Sequence, residues 1–132
     1  GNTCYMNSVI QSLFHIPFIK KTLNEFECSV KDTNALIVES LQTIFCDLMA
    51  TNGAIKIDNY LFDLLNLENI QHDAHELCMK LLDTIGMVIP GFVSMFTGET
   101  KKIIYDKYTK EKLSEKNEIF TCLELPIIVN YY

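Results

Sequence analysis

The chain has 132 residues, 48% hydrophobic and 21% charged, so its length and composition are those of one globular domain with a core. The formal net charge of −6 argues against nucleic acid and against an anionic membrane surface as partners. No stretch approaches the roughly 18 consecutive apolar residues of a membrane span, and no secretory signal peptide is recognisable.

Apolar residues recur mostly at helical spacing up to Pro90–Gly91, so this part of the chain is predicted to be helical. Pro17 is expected to stop the first helix. The predicted segments are Tyr5–His15, a shorter turn over Ile19–Leu23, a helix from Asp32 or Thr33 to before Asn52–Gly53, a short helix capped by Asp58 or Asn59, and a helix from His72–Asp73 to Gly86.

After Gly91 the apolar residues gather in short runs that are typical of strands. A helical part followed by a strand-rich part predicts the α+β class. The predicted elements are strands over Phe92–Phe96 and Lys102–Tyr105 joined by Thr97–Glu99, a charged loop or hairpin tip over Asp106–Asn117, and a strand over Glu118–Leu125 with Ile119, Thr121, Leu123 and Leu125 on one face.

Cys4 stands just before the first apolar run, at the predicted start of a helix. Unpaired backbone N–H groups and the helix dipole favour an anion there, and the thiolate is the nucleophilic form of cysteine. The position therefore suggests nucleophilic catalysis. The alternative is that Cys4 is a small buried hydrophobe, as most free cysteines are.

The chain has five cysteines, an odd number without a CxxC pair, which fits neither a disulfide framework nor a zinc site. We therefore expect reduced thiols in an intracellular protein of the cytoplasm or nucleus. Gly1 in place of a methionine suggests a chain cut from a longer one. The cysteines are Cys4, Cys28, Cys46, Cys78 and Cys122.

The segment Gln71–Leu77 concentrates five polar side chains at a predicted helix start. In it Asp73 is placed to cap the helix and to meet its dipole, which favours a solvated helix start with no further role. Either His72 or His75 is chemically able to serve as the base for Cys4. A metal site is disfavoured, because the two histidines lack the i, i+4 spacing of a zincin helix.

Taken together, these segments resemble the ubiquitin-specific proteases, the largest family of deubiquitinating enzymes. Gly1–Leu13 resembles the family's cysteine box, and Gln71–Leu77 resembles its Gln-Gln-Asp-Ala-His-Glu-Phe segment. Two later landmarks follow in the same order, so the resemblance spans nearly the whole chain. They are Met95–Gly98, similar to the family's Phe-x-Gly strand, and Asn117–Ile127, similar to its Glu-x-Phe…Leu-x-Leu-x-Ile stretch.

The resemblance implies a papain-like fold of the ubiquitin-specific protease type. Residues 1–90 would form the helical thumb with the cysteine box, and residues 91–132 an incomplete fingers and palm portion. It also implies a thiol-dependent hydrolase that cleaves isopeptide or peptide bonds after the C-terminal glycine of ubiquitin.

The resemblance also implies roles for individual residues. Cys4 would attack the carbonyl after that glycine and give a thioester that water hydrolyses, with its own backbone N–H in the oxyanion hole. Asp73 would bind the extended C-terminal tail of ubiquitin, and Gln71, His75 and Glu76 would help to shape its channel. His75 is not the catalytic base in this family.

The chain also departs from the family pattern. The family's general base is a histidine far downstream with an Asp or Asn partner, and this chain has no histidine after His75. The family's oxyanion asparagine lies upstream of Gly1. This chain by itself is therefore expected to be poorly active.

The expected partners are ubiquitin or ubiquitin-conjugated proteins, with no nucleic acid and no membrane. No cofactor is expected, and no metal, because the Ile103–Thr109 region lacks the paired cysteines that bind zinc in the family's fingers. The main alternative is a catalytically inactive member that binds ubiquitin without cleaving it. A helical interaction domain with an accidental motif is the third possibility.

Overall fold

A computed structural model describes residues 3–27, 32–68 and 70–122. They belong to two units, Gly1–Pro90 and Gly91–Tyr132. The described part of the first unit is helical, and that of the second contains a two-stranded antiparallel sheet. The predicted α+β class is confirmed at this level. In the described ranges, no helix is both long enough and apolar enough to span a membrane.

The described residues of the first unit form five helices, which agree with the predicted segments to within a few residues at most ends. Their starts are set by polar caps and by one proline, and their apolar faces turn inward. The helices are α1 Cys4–Phe14, α2 Pro17–Asn24, α3 Thr33–Ala50, α4 Asn59–Leu64 and α5 Ala74–Val88.

An aspartate caps each of the last three helices. Asp32 accepts a hydrogen bond from the Ala35 backbone N–H at 2.8 Å, and Asp58 accepts one from Tyr60 at 3.4 Å. Asp73 caps α5. Each carboxylate satisfies a backbone donor that has no partner inside its own helix, so the helix starts at a defined residue. The predicted starts of these three helices are confirmed.

Helix α2 is longer than the predicted turn over Ile19–Leu23. It begins at Pro17, which occupies its first turn. Proline suits that position because its fixed φ is helical and the N–H that it lacks would have had no partner there. Pro17 thus ends one helix and starts the next, and Ile19 and Leu23 are completely buried on the inner side of α2.

The predicted end of α5 at Gly86 is wrong, because the helix continues to Val88. A glycine inside a helix costs only about 1 kcal/mol relative to alanine, which the buried face of α5 offsets. The helix ends where Ile89 takes an extended conformation (φ −110°, ψ 104°) immediately before Pro90. Proline disfavours the helical conformation of the residue before it.

Helix α3 is the centre of the first unit, since it contacts α2, α4 and α5, while α1 packs on α2 and α5. The rings of Phe14 and Phe45 meet edge to face with centroids 5.3 Å apart. This shared core fixes the start of α1 relative to the start of α5. The core includes Tyr5, Met6, Val9, Ile10, Leu13, Val38, Leu41, Phe45, Leu61, Leu65, Leu77, Leu81 and Ile85.

In the second unit, the predicted strand over Phe92–Phe96 is wrong, since Val93–Met95 form a 3₁₀ helix. The Phe92 and Phe96 rings pack with centroids 5.1 Å apart, a contact that helical winding allows between residues four apart. The Ser94 hydroxyl donates to the Gly91 carbonyl at 2.6 Å and stabilises the turn. A short apolar run does not distinguish a strand from a helical turn by periodicity.

Strands β1 (Gly98–Tyr105) and β2 (Lys112–Phe120) form an antiparallel hairpin. The predicted connection over Thr97–Glu99 is wrong, because Gly98 and Glu99 belong to β1. Gly98 lies opposite Phe120, and a Cβ at Gly98 would come within 2.5 Å of the Phe120 ring. A side chain at Gly98 would therefore force the Phe120 ring to move.

The charged stretch Asp106–Asn117 is partly turn and partly strand. The Asp106 carboxylate accepts backbone N–H groups of Tyr108 and Thr109, and these bonds hold the pKa of Asp106 below its ordinary value. Strand β2 begins at Lys112, so the predicted start of this strand at Glu118 is wrong. Thr121 and Cys122 follow the strand, and the predicted positions from Leu123 onward lie outside the described residues.

Candidate active site

Cys4 is the first residue of α1 and is exposed. The next residues along the helix, Tyr5 and Met6, are buried in the core, so the thiol lies at the rim of the first unit. The N-cap, Thr3, makes no side-chain cap hydrogen bond. The backbone N–H groups of the first turn have no partner inside the helix, and they present positive partial charge beside the thiol.

The structure brings the two predicted clusters together at this thiol. The carboxamide of Gln71 contacts Cys4 Sγ, with Oε1 at 3.5 Å and Nε2 at 3.4 Å. A thiol can donate to Oε1, and a thiolate can accept from Nε2, so one amide is able to serve both protonation states. The two residues are 67 positions apart, and only the packing of α1 against α5 brings them together.

Removing the Gln71 amide is expected to slow alkylation of Cys4 by iodoacetamide. In Gln71→Ala the rate at pH 7 should fall about 5-fold, because the thiolate loses a hydrogen-bond donor worth about 1 kcal/mol. Gln71→Glu should be slower still, since a carboxylate repels the thiolate. Peptide mass spectrometry measures each cysteine separately, so exposed Cys46 is an internal control. Equal Cys4 rates in all three proteins would show that the contact has no chemical effect.

Asp73 stands at the start of α5, two residues after Gln71. Its Oδ1 accepts the backbone N–H of His75 at 2.6 Å and that of Glu76 at 3.2 Å. The predicted capping role is therefore confirmed. Asp73 is also exposed, and a carboxylate has more lone pairs than these two bonds use, so it is able to accept a hydrogen bond from an incoming chain.

The two histidines of the segment differ in environment. His72 is half-buried, with Nε2 3.2 Å from the Glu68 carbonyl oxygen and its ring tilted against Tyr5 at a centroid distance of 5.4 Å. His75 is exposed on the first turn of α5. His72 therefore supports the position of Tyr5, next to the nucleophile. The described part of the chain holds no group of three or more His, Cys, Asp and Glu residues placed to bind a metal ion.

The Tyr5 hydroxyl is buried beside the site. The side chain is 3% exposed, and the hydroxyl has no hydrogen-bond partner among the described residues. Burial raises the pKa of Tyr5 above 10.0, and the charge of neighbouring Cys4 raises it further. Tyr5 is therefore a neutral phenol at physiological pH.

Tyr5→Phe is expected to raise the free energy of unfolding by about 1 kcal/mol, because it removes a buried hydroxyl that has no partner among the described residues. The difference in free energy of unfolding between the variant and the wild type should grow above pH 10. There Tyr5 ionises more readily in the unfolded wild type than in the folded one, which destabilises the folded wild type and not the variant. Urea denaturation at pH 7 and 10.5 measures both effects. The control is Tyr60→Phe at an exposed tyrosine. A loss of 1 kcal/mol or more in Tyr5→Phe would show that the hydroxyl has a partner.

Two clefts open beside this site. The Asp73 cleft, of about 50 Å³, is lined by Leu67, His72, Asp73, Glu76, Leu77 and Lys80. The Thr3 cleft, of about 380 Å³, is lined by Thr3, Asn59, Phe62, Asp63 and Leu67, so the two clefts share Leu67. A further cleft of about 400 Å³ shares Thr3, Asn59 and Phe62 and extends the Thr3 cleft along α1 to Asn7.

The sequence did not single out the α4 residues of the Thr3 cleft. One feature of the sequence could have indicated this surface. Asn59 and Asp63 are four residues apart on α4, next to the buried pair Leu61 and Leu65. Phe62 is only half-buried and stands outside that buried pair. An aromatic side chain beside exposed polar residues on a short helix indicates a surface available for contact.

The sequence has recognisable relatives. The family model described as ubiquitin carboxyl-terminal hydrolase matches residues 1–126, nearly the whole chain. The chain belongs to the ubiquitin carboxyl-terminal hydrolase family. The match confirms the resemblance that the Cys4 and Gln71 segments indicated, and it supports the prediction of an N-terminal part of a catalytic domain.

Individual hydrolases of this family are moderately similar. Ubiquitin C-terminal hydrolase 13 of Arabidopsis thaliana is 32% identical over 137 aligned residues, covering 96% of this chain. Ubiquitin carboxyl-terminal hydrolase 7 of Caenorhabditis briggsae is 30% identical over 78% of the chain, and ubiquitin carboxyl-terminal hydrolase 28 of Homo sapiens is 26% identical over 100%. The chain spans only 9% to 14% of the length of these three relatives.

Proposed function

We propose that the chain is part of a thiol-dependent deubiquitinase that hydrolyses isopeptide or peptide bonds after the C-terminal glycine of ubiquitin. The observation that carries the proposal is the contact between Cys4 Sγ and the Gln71 amide. It joins the two segments that resemble the family's cysteine box and its tail-binding segment. The unit Gly1–Pro90 would be the thumb of a papain-like domain, and Gly91–Tyr132 would belong to the fingers and palm.

Cys4 is the proposed nucleophile. Its sulfur forms a bond to the carbonyl carbon of ubiquitin's terminal glycine, the C–N bond breaks, and the amine leaves with a proton. Water then hydrolyses the thioester and restores the thiol. Backbone N–H groups at the start of α1 are suited to stabilise the oxyanion of both steps. The proton transfers require a base of the kind that the family supplies from a downstream histidine.

The start of α5 is the proposed binding site for ubiquitin's C-terminal tail. Asp73 and Glu76 line the Asp73 cleft, and Gln71 places its amide at the thiol. Their positions are consistent with a tail that approaches Cys4 along the start of α5, with His75 exposed on the same turn. In this proposal Asp73 both caps α5 and binds the tail.

The second candidate function is ubiquitin binding without cleavage. One observation favours it: the hydrogen-bond partner described for Cys4 is an amide, which cannot act as a base. Under either function the proposed partner is ubiquitin or a ubiquitin-conjugated protein, with no cofactor, nucleic acid or membrane. The proposed location is intracellular, in the cytoplasm or nucleus.

Hydrolysis of a ubiquitin–fluorophore amide by the full-length protein tests the proposal. The enzyme function predicts fluorophore release that iodoacetamide abolishes. Binding of ubiquitin without release would support the inactive alternative. Neither release nor binding would refute both functions.

A further inference from the structure

The segment that joins α4 to α5, Leu65–Asp73, carries two residues of the proposed site, Gln71 and Asp73. Its described residues lie in neither a helix nor a strand. The position of the segment therefore depends on individual bonds at its two ends. At the α5 end, Asp73 caps the helix, and the amide of Gln71 contacts Cys4 two residues before that cap.

The α4 end of the segment is closed by a Schellman motif. Asn66 has a left-handed backbone conformation with φ 50°. Its N–H donates to the Asp63 carbonyl at 3.0 Å, and the Leu67 N–H donates to the Phe62 carbonyl at 3.0 Å. These bonds satisfy two of the free carbonyls at the end of the helix. The carbonyl of Leu65 takes its partner from outside the motif.

Lys80 supplies that partner from α5. Its Nζ donates to the Leu65 carbonyl oxygen at 2.6 Å, in a partly buried contact between residues 15 positions apart. A cation is favoured there, because the free carbonyls give the end of a helix a negative partial charge. Helix α4 packs on α3, so the Lys80 bond ties its C-terminal end to α5 as well.

We propose that Lys80 is a positioning residue for the reaction: it holds the α4 end of the Leu65–Asp73 segment to α5 and so keeps the Gln71 amide at Cys4. This role rests on the proposed function, in which Cys4 is the nucleophile. The Lys80 bond and the Asp73 cap fix both ends of the segment to one helix. Without the bond, the residues up to Gln71 gain conformational freedom, and the amide contacts the thiol in a smaller fraction of molecules.

Alkylation of Cys4 by iodoacetamide in the full-length protein tests this role without ubiquitin. Lys80→Met keeps most of the aliphatic stem and removes the donor. At pH 7 it should slow alkylation about 3-fold, less than the roughly 5-fold expected for Gln71→Ala, because the amide is loosened and not removed. Lys80→Arg keeps a cationic donor and should restore most of the rate. Lys80→Gln keeps a neutral donor and should react at an intermediate rate, so it replaces Lys80→Met if that variant does not fold.

The double variant Gln71→Ala/Lys80→Met separates positioning from other effects of Lys80. Since Lys80 acts through Gln71, its loss should have no further effect once the amide is gone, and the double variant should react at the rate of Gln71→Ala. The control is Lys21→Met, at an exposed lysine of α2, which should leave the rate unchanged.

Two results would overturn the positioning role. One is an unchanged Cys4 rate in folded Lys80→Met. The other is an equal fractional slowing with and without Gln71, as a charge effect of Lys80 acting directly on the thiolate would give. A protein that shows the expected alkylation rates and does not hydrolyse ubiquitin conjugates would refute the proposed function, and would leave the positioning of Gln71 by Lys80 intact.

Discussion

Replacing Cys4 with alanine is expected to lower kcat/KM for a ubiquitin–fluorophore amide by on the order of 10⁴-fold or more. The loss is large because the whole covalent route depends on this sulfur, and alanine offers no other nucleophile. Binding of ubiquitin should persist, since the proposed tail-binding residues lie on α5 and in the segment before it. Fluorophore release measures the rate, and titration of labelled ubiquitin measures the affinity.

Cys46→Ala is the control for this substitution. Cys46 is also an exposed cysteine beside a side-chain amide, with Sγ 4.0 Å from Asn24 Oδ1. It lies on α3, far along the chain from the cysteine box, and its replacement should leave the rate unchanged. Comparable activity in Cys4→Ala and the wild type would exclude Cys4 as the nucleophile.

Substitution of Asp73 should separate its two roles. Asp73→Ala loses both the cap and the charge, so the free energy of unfolding should fall by about 1 kcal/mol. If the carboxylate accepts one charge-assisted hydrogen bond from the ubiquitin tail, kcat/KM should also fall about 10- to 100-fold. Asp73→Asn keeps a good cap and loses the charge, so it should keep its stability and show a similar loss of activity. Urea denaturation and steady-state kinetics measure the two effects.

Asp32 provides the matched control for Asp73, because it caps α3 in the same way and is not part of the proposed site. Asp32→Ala should cost a similar free energy of unfolding and leave kcat/KM unchanged. If Asp73→Asn retains full activity, Asp73 is only a helix cap.

The sequence predicted the helical unit well because its signals are local. Asp32, Asp58 and Asp73 cap helices that the apolar spacing had already indicated. Cap chemistry acts over three residues, so one sequence is enough to recognise it. The end of α5 was misplaced because burial of one helix face outweighs the helix-breaking tendency of Gly86. That burial depends on α1 and α3, which local patterns do not contain.

The second unit was predicted less well. The apolar run that begins at Phe92 fits both a strand and a helical turn. The packing of the Phe92 ring on the Phe96 ring stabilises the turn. The start of β2 at Lys112 was missed because charged residues dominate it. Cross-strand pairs stabilise the strand there, such as Lys101 with Glu115 at 2.8 Å. A pairing of residues 14 positions apart is not visible in the local pattern.

Recognition of the candidate site from sequence depended on motif resemblance. Nothing in the spacing required Gln71 to contact Cys4, since 67 residues separate them. The contact is a product of tertiary packing of α1 on α5. The Thr3 cleft arises in the same way from the approach of α4 to the start of α1, and the sequence shows only its separate residues.

The most direct test of the central claim is the reaction of the full-length protein with ubiquitin that carries an electrophilic C-terminus, followed by peptide mapping. The proposed function predicts one ubiquitin per protein, attached to Cys4, and no adduct in Cys4→Ala. No adduct on the wild type, or an adduct on another cysteine such as Cys46 that persists in Cys4→Ala, would contradict the assignment of Cys4 as the nucleophile.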